Sequence, residues 1–153
     1  MGYDQCRCMS LGRRFSVISR NIQQIIRSIL NDVHIGSGQF MFIHAVSLNE
    51  GISQQELSVL LDVDKATCAR AVMKLERHGY IRREQDSGDL RLHHLYLTEK
   101  GNLIMPRIKE TMQSVTEICG SELTPREREE LVRLLDKVVN STGAWVRRMK
   151  EER

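Results

Sequence analysis

Two helix starts lie eleven residues apart, at Ser53 and Asp64, and that spacing constrains the fold more than any other feature of the chain. In GISQQEL, Ser53 is placed to cap a helix and Glu56 to close the capping box. Ile52 and Leu57 occupy the hydrophobic-staple positions around that cap. At Asp64 the carboxylate can accept from the backbone N–H groups of the following turn, with Val63 and Cys68 again placed as a staple. Only Leu61 to Val63 remain to connect the two helices. So short a link matches a helix-turn-helix, whose second helix enters the DNA major groove. Gly79 then supplies a stop, and YIRREQ and LRLHHLYLT flank the turn-forming DSGD as a two-strand hairpin. The expected fold is mainly α with a small β-hairpin wing: a winged helix-turn-helix carrying a helical dimerisation region at both chain ends.

The flanking segments are helical by their periodicity. Phe15, Ile18, Ile22, Ile25, Ile26, Ile29 and Val33 define one apolar stripe, predicting a helix from about Leu11 to Val33. FMFIHAVSL follows the GSG break as a short buried helix, with Phe40, Ile43 and Val46 or Leu48 inward. Beyond the hairpin, Thr98 can cap a helix striped by Ile104, Ile108, Met112, Val115 and Cys119. Pro106 inside it removes a donor and clashes with the carbonyl four residues back, predicting a bend or break near Asn102 to Pro106. Thr124, Pro125 and Glu127 form an almost complete start signal for the last helix, striped by Leu131, Leu134, Leu135, Val138, Trp145 and Val146. Three long amphipathic helices exceed what one small winged lobe can cover. A second copy intertwined about a twofold axis would cover them, and an intramolecular bundle is the alternative.

The formal net charge of +3 leans only weakly toward an anionic partner. Between Ser53 and Leu97, seven basic residues meet seven acidic ones, so charge placement must carry any DNA reading. Lys65, Arg70 and Lys74 share one face of the second helix with Ala66, Thr67 and Ala69, opposite Cys68, Val72 and Leu75. The small residues let the helix approach base edges. Arg70 has the reach for guanine O6 and N7, Thr67 can meet a phosphate or a thymine methyl, and Lys65 and Lys74 suit phosphates. Arg82 and Arg83, at the hairpin base, either reach the backbone or sit solvated.

The hairpin carries a further pattern: Asp89-x-Arg91, five residues, then Leu97-Thr98. With TEKG at Thr98 to Gly101 and LTPREREEL at Leu123 to Leu131, it resembles the MarR (multiple antibiotic resistance regulator) family over roughly residues 11–149. The resemblance implies a DNA-binding transcriptional regulator, expected to be a repressor, that binds a pseudo-palindromic operator in double-stranded DNA as a homodimer. It implies a single MarR-like domain over 1–153, with 36–97 as the DNA-binding lobe and 11–35 and 98–150 as the dimerisation region. Arg91 matches the wing arginine that enters the minor groove, and Asp89 matches the acidic residue orienting it. Leu90 departs from the commoner pattern, where a second arginine is often found, so weaker wing electrostatics are expected.

The resemblance also implies a small-molecule effector, commonly a phenolic or other aromatic acid, bound where helices meet the DNA-binding lobe. Ile22, Ile26, Met41, His44, Met105 and Met112 would line that pocket and Arg20 would pair the anion. Each apolar member equally suits plain core, because a stripe looks the same whether it lines a pocket or fills it. No catalytic constellation, cofactor motif or metal-ligand spacing is recognisable; His93 and His94 are adjacent on a strand and point to opposite faces. His34 and His44 could converge with a cysteine, as in zinc-sensing members of the family, but that ligand set is not visible. His78 falls in the last turn of the reading helix, near its dipole's negative end.

Of four cysteines, Cys68 reads as core, while Cys6 and Cys8 in the N-terminal tail leave open a thiol-based redox-sensing regulator. The other alternative is a winged-helix protein-interaction module. The N-terminus lacks an apolar signal region and no apolar run approaches the ~18 residues of a membrane span, which predicts a cytoplasmic protein without a membrane partner.

Overall fold

The computed structural model describes residues 10–33, 35–36, 38–86, 88 and 92–152, with Lys150 described by its backbone alone. The described chain is mainly helical, with one small antiparallel sheet. Helix α1 (Leu11–Ile29) starts at Ser10, whose Oγ accepts from the Arg13 N–H at 3.1 Å. It ends four residues before the expected Val33, because Arg107 takes over the helix end. The guanidinium donates to the Ile29 carbonyl at 2.6 Å and clasps both Asp32 carboxylate oxygens, at 2.5 and 2.6 Å. Ile26 and Leu30 are buried, whereas Ile18, expected on the inward stripe, is 49% exposed.

Helix α2 (Phe40–Leu48) buries Phe40, Phe42, Ile43, Ala45 and Val46, and leaves Leu48 outside. The two helix starts that opened the sequence reading fold as expected. In α3 (Gln54–Leu60) the box is complete: the Glu56 N–H donates to Ser53 Oγ and the Ser53 N–H to Glu56 Oε2. Helix α4 (Lys65–Arg77) is capped by Asp64, which accepts from the Thr67 N–H at 2.8 Å. The turn between them places Asp62 at φ 48°, a left-handed conformation that aspartate tolerates better than most residues.

The hairpin strands are β2 (Ile81–Gln85) and β3 (His93–Leu97), but the sheet has a third member, β1 (Ile52–Ser53). Its order is β1-β3-β2, with Ile52 opposite Leu95 and Ser53 opposite His94. The two-strand expectation is therefore corrected: the cap of α3 is tied to the wing through backbone pairing. On the inward face Ile81, Leu95 and Leu97 join Leu57, Cys68, Val72, Leu75, Ile43 and Val46 in one core. Burying each of these aliphatic side chains is worth about 1.5–3 kcal/mol, which fixes α4 against the sheet.

Helix α5 (Glu99–Gly120) begins beside Thr98, whose Oγ1 accepts from the Gly101 N–H at 3.0 Å and donates to the Gly79 carbonyl at 2.5 Å. Gly101 is required here, since a Cβ would lie 2.2 Å from the Tyr80 carbonyl oxygen. The helix runs unbroken through Pro106, so the expected break is absent. Pro106 and Asn102 are both exposed, and water can satisfy the Asn102 carbonyl that has lost its donor.

The backbone falls into two compact units, one through Val115 and one from Thr116, so α5 contributes to both. The second holds the end of α5 and α6 (Pro125–Glu151), started by Thr124 and Glu127 in a complete capping box with Pro125 in the first turn. Arg128 donates to the Gly120 carbonyl at 3.1 Å and closes the corner between the two helices. Leu131, Leu134, Leu135, Trp145 and Val146 form an exposed apolar stripe along α6, with Leu134 45% and Trp145 59% accessible. Among the described residues, no helix is long and apolar enough to cross a membrane.

Candidate nucleic-acid interface

Helix α4 presents two contrasting faces. Cys68, Ala71, Val72 and Leu75 are buried, while Lys65, Ala66, Arg70 and Lys74 are exposed and Thr67 and Ala69 half-buried. The inward placement of Cys68 makes it structural: its Sγ donates to the Gln54 carbonyl at 3.4 Å, and burial pushes the thiol's pKa up. Cys6 and Cys8, on which a redox reading would depend, lie outside the described residues.

Met73 and Arg77 also lie exposed on the outward face, and sequence reasoning missed both as candidates. The signal was available in the spacing. Ala66, Ala69, Arg70, Met73 and Arg77 follow one another at helical steps, so their side chains share a stripe. Met73 adds a polarizable apolar contact of the kind that suits a thymine methyl.

Thr67 is more constrained than its exposure suggests. Its hydroxyl donates to Asp64 Oδ2 at 2.6 Å and accepts from Arg70 Nη2 at 3.0 Å. With its proton given to the capping carboxylate, Thr67 has none to donate to a phosphate in this arrangement, which leaves the thymine-methyl contact as the alternative of the sequence reading. Thr67 also steers Arg70. The Thr67 hydroxyl bond, followed by the Thr67 N–H bond to Asp64 Oδ1, holds the Asp64 carboxyl below its ordinary pKa, so the cap stays ionised at neutral pH.

The balance of cations and carboxylates resolves into sorted roles. Glu56 and Asp64 cap helices, Glu76 pairs with Arg83 at 3.2 Å, Glu84 with Arg82, and Asp86 with His94. Arg82 also stacks over the Tyr96 ring at 4.8 Å. Both hairpin-base arginines are therefore engaged inside the lobe, and neither is merely solvated. Among the described residues no ion pair ties up Lys65, Lys74 or Arg77, so the outward face of α4 keeps a positive surplus although the segment sums to zero. Lys65 borders a groove shared with Ser53, Gln54, Arg83, His93 and Leu92, between the start of α4 and the wing strand.

The far end of α4 is anchored through its His78 cap, as Lys100 donates to the His78 carbonyl at 2.8 Å and lies 4.5 Å above the Tyr80 ring. Lys100 thereby places a cation at the negative end of the helix dipole, a partner that sequence reasoning did not identify. At the wing, Asp86 closes the hairpin, its N–H donating to the Leu92 carbonyl at 3.0 Å and its Oδ1 accepting from the Gly88 N–H at 2.7 Å. Asp89 and Arg91, the wing residues singled out by sequence, lie outside the described residues, as do Leu90 and His34.

The residues expected to line an effector pocket divide by environment. Ile26 and Met105 are buried in the core, with Ile22 and Met112 packed against it. Met41 is 40% exposed and Arg20 is exposed as well. His44 is half-buried, and its Nδ1 is enclosed without a hydrogen-bond partner.

Comparison with known proteins agrees with this architecture. The model of the MarR family matches residues 35–92, from the helix before the reading pair into the hairpin. The HTH-type transcriptional regulator YybA of Bacillus subtilis is 31% identical over 126 residues, covering 82% of this chain and 84% of that protein. The crystal structure of a MarR transcriptional regulator from Methanosarcina mazei Go1 superposes with a TM-score of 0.77 at 34% identity, covering 89% of this chain and 97% of the other. A mutant MarR from E. coli, solved in complex with operator DNA, matches with a TM-score of 0.77 at 25% identity, over 84% of this chain and 93% of the other. Helix-turn-helix, wing and flanking helices thus recur in order across nearly the whole length, and the chain belongs to the MarR family of transcriptional regulators.

Proposed function

We propose that this chain binds operator DNA as a homodimer, with residues 36–97 reading the duplex and helices within 11–35 and 98–150 pairing the two copies. The observation that carries the reading is the outward face of α4. Small side chains at Ala66 and Ala69 stand among Lys65, Arg70, Lys74 and Arg77, while Glu56 and Asp64 cap helices and Glu76 and Glu84 pair with Arg83 and Arg82. In this account Arg70, aimed by Thr67, reads a guanine, Lys65 and Lys74 hold phosphates, and Arg91 enters the minor groove beside Asp89. The homodimer is supported by the exposed stripe of α6, since a contiguous apolar face of that kind marks an association surface.

Binding should be salt-dependent and should weaken when a cation that neutralises a phosphate is removed. Fluorescence anisotropy with a selected duplex at several salt concentrations tests this. Lys65→Ala and Lys74→Ala should each lower the slope of log K against log salt by about 1 for each phosphate no longer neutralised. A parent slope near zero, or slopes unchanged in both variants, would reject the interface and favour a protein-binding role for the lobe.

Regulation follows the same reading: an aromatic acid that prefers a spacing of the two α4 helices unsuited to the duplex would release the operator, making the protein a repressor. The enclosed, unpartnered Nδ1 of His44 supports a polar ligand beside α2. Salicylate-like compounds titrated against the protein–operator complex should lower its affinity. A ligand acts only through its difference in affinity for the two spacings, so unchanged operator affinity at saturation rejects this effector class.

A further inference from the structure

We propose that His94 is a positioning residue for the wing: its imidazolium is a strut between the wing turn and the start of the helix-turn-helix, so duplex binding weakens when its proton is lost. The proposal rests on the DNA-reading function above. On β3, His94 Nδ1 lies 2.6 Å from the Gly51 carbonyl oxygen and Nε2 lies 2.8 Å from Asp86 Oδ2. A carbonyl oxygen can only accept, so Nδ1 must carry a proton. An ionised carboxylate also only accepts, so Nε2 must carry one too. Only the imidazolium satisfies both ends, while a neutral ring turns a lone pair toward one of the two oxygens.

Each end of the strut holds a structural feature. Asp86 closes the hairpin through Leu92 and folds the turn through Gly88, so the His94 contact fixes where the wing turn begins. Gly51 sits at φ 81°, and its N–H donates to the Leu95 carbonyl at 2.9 Å directly before β1 and the cap of α3. The His94 side chain thereby adds a link between the wing turn and the start of α3 to the backbone pairing of β1 with β3.

The surrounding charges favour the proton. Asp86 touches the ring, Glu56 of α3 is close enough to contribute, and Glu84 stands opposite His94 in the β2–β3 register. Among the described residues the cations are Arg82, paired with Glu84, and Lys65 and Arg83, which border the same groove as His94; Arg83 is paired with Glu76. The Asp86 hydrogen bond, followed by that of the Gly51 carbonyl, raises the His94 pKa above its ordinary 6.5, against a smaller opposing effect of burial. A raised value means the contribution is complete below the ordinary histidine pKa and is lost as pH climbs through the higher folded value.

The test combines two readouts on the full chain. Imidazole NMR signals followed against pH should show His94 titrating above about 6.5, with the amides of Gly88 and Leu92 moving in step. Asp86→Asn should bring that midpoint down. Anisotropy with a selected duplex at fixed ionic strength should show the parent losing affinity severalfold as pH rises from about 6 to about 8.5. His94→Gln retains an N–H donor for Asp86 but does not titrate in this range, so its affinity should vary with pH much less than the parent's. A parent midpoint at or below about 6.5, or a parent-like pH profile in a folded His94→Gln, overturns the strut. Absence of duplex binding at every pH would instead overturn the DNA reading on which it rests, while the NMR midpoint still reports on the strut itself.

Discussion

Gly101→Ala should destabilise this protein even though alanine is the better helix former. Gly101 lies in the first turn of α5, where a Cβ would stand 2.2 Å from the Tyr80 carbonyl oxygen and 3.3 Å from Leu97 Cβ. Real Cβ atoms essentially never come within 3.0 Å, so helix and carbonyl must separate by about 0.8 Å. That carbonyl cannot simply retreat. It accepts from the Thr98 N–H at 3.1 Å, and Tyr80 itself is only 3% exposed. Overpacking of this kind costs about 1–3 kcal/mol, and strain on the Thr98 bond adds to it. The gain in helix propensity offsets at most about 1 kcal/mol. The two contributions leave a net loss of up to about 2 kcal/mol, to which the strain adds, lowering Tm by roughly 2–4 °C per kcal/mol for a chain of this size. Urea unfolding at one fixed protomer concentration measures it, because association makes apparent stability concentration-dependent. Gly12→Ala is the control: a Cβ there meets nothing within 4 Å, so stability should hold or rise. A Gly101→Ala protein as stable as the parent would refute the close approach of α5 to the start of β2.

Arg70→Ala should cost about 1–3 kcal/mol at the operator and relax preference at one position per half-site. Thr67→Val, which removes the hydroxyl that receives Arg70, should relax the same position; a double variant no worse than Arg70→Ala alone confirms the coupling, and additive losses deny it. Asp32→Asn should destabilise at neutral pH, because the hydrogen bonds from Arg107 hold the Asp32 carboxyl below its ordinary 3.8. That contribution is present above the ordinary value and lost as pH falls through the lower folded one, so the Tm gap to the parent should close below about pH 4; a gap of equal size at pH 7 and pH 3 would contradict it. Leu134→Asp, which places a charge on the exposed stripe of α6, should shift sedimentation toward the monomer with helical content retained. A parent that sediments as a monomer at micromolar concentration removes the dimer altogether.

What the sequence disclosed was chiefly local. The caps at Ser53, Asp64 and Thr124 are written within four consecutive residues each, and all three form as read. The inward row of Cys68, Val72 and Leu75 was legible because helical spacing fixes a face, and by the same rule Met73 and Arg77 belonged to the opposite one. Long-range pairing was not legible. Strand β1 is two residues long, too short for any alternation, and exists because Ile52 and Ser53 meet Leu95 and His94. Helix α1 stops at Ile29 because a guanidinium 78 residues onward takes its last carbonyl. Thr67 could not be seen to spend its proton on Asp64, nor the carboxylates to sort into caps and pairs, because both depend on side-chain directions that composition does not encode. The wing assignments at Asp89 and Arg91 rest on family resemblance, and binding data for Arg91→Ala would provide their own evidence.

The central claim is that two copies of α4, held by a homodimer, read one duplex in successive major grooves. Selection of bound fragments from a random duplex pool tests it most directly. The account predicts an enriched pseudo-palindrome with half-sites ~10 bp apart, centre to centre, one position of which loses its preference when the selection is repeated with Arg70→Ala. Enriched sites without inverted symmetry, or no enrichment over the starting pool, would contradict it.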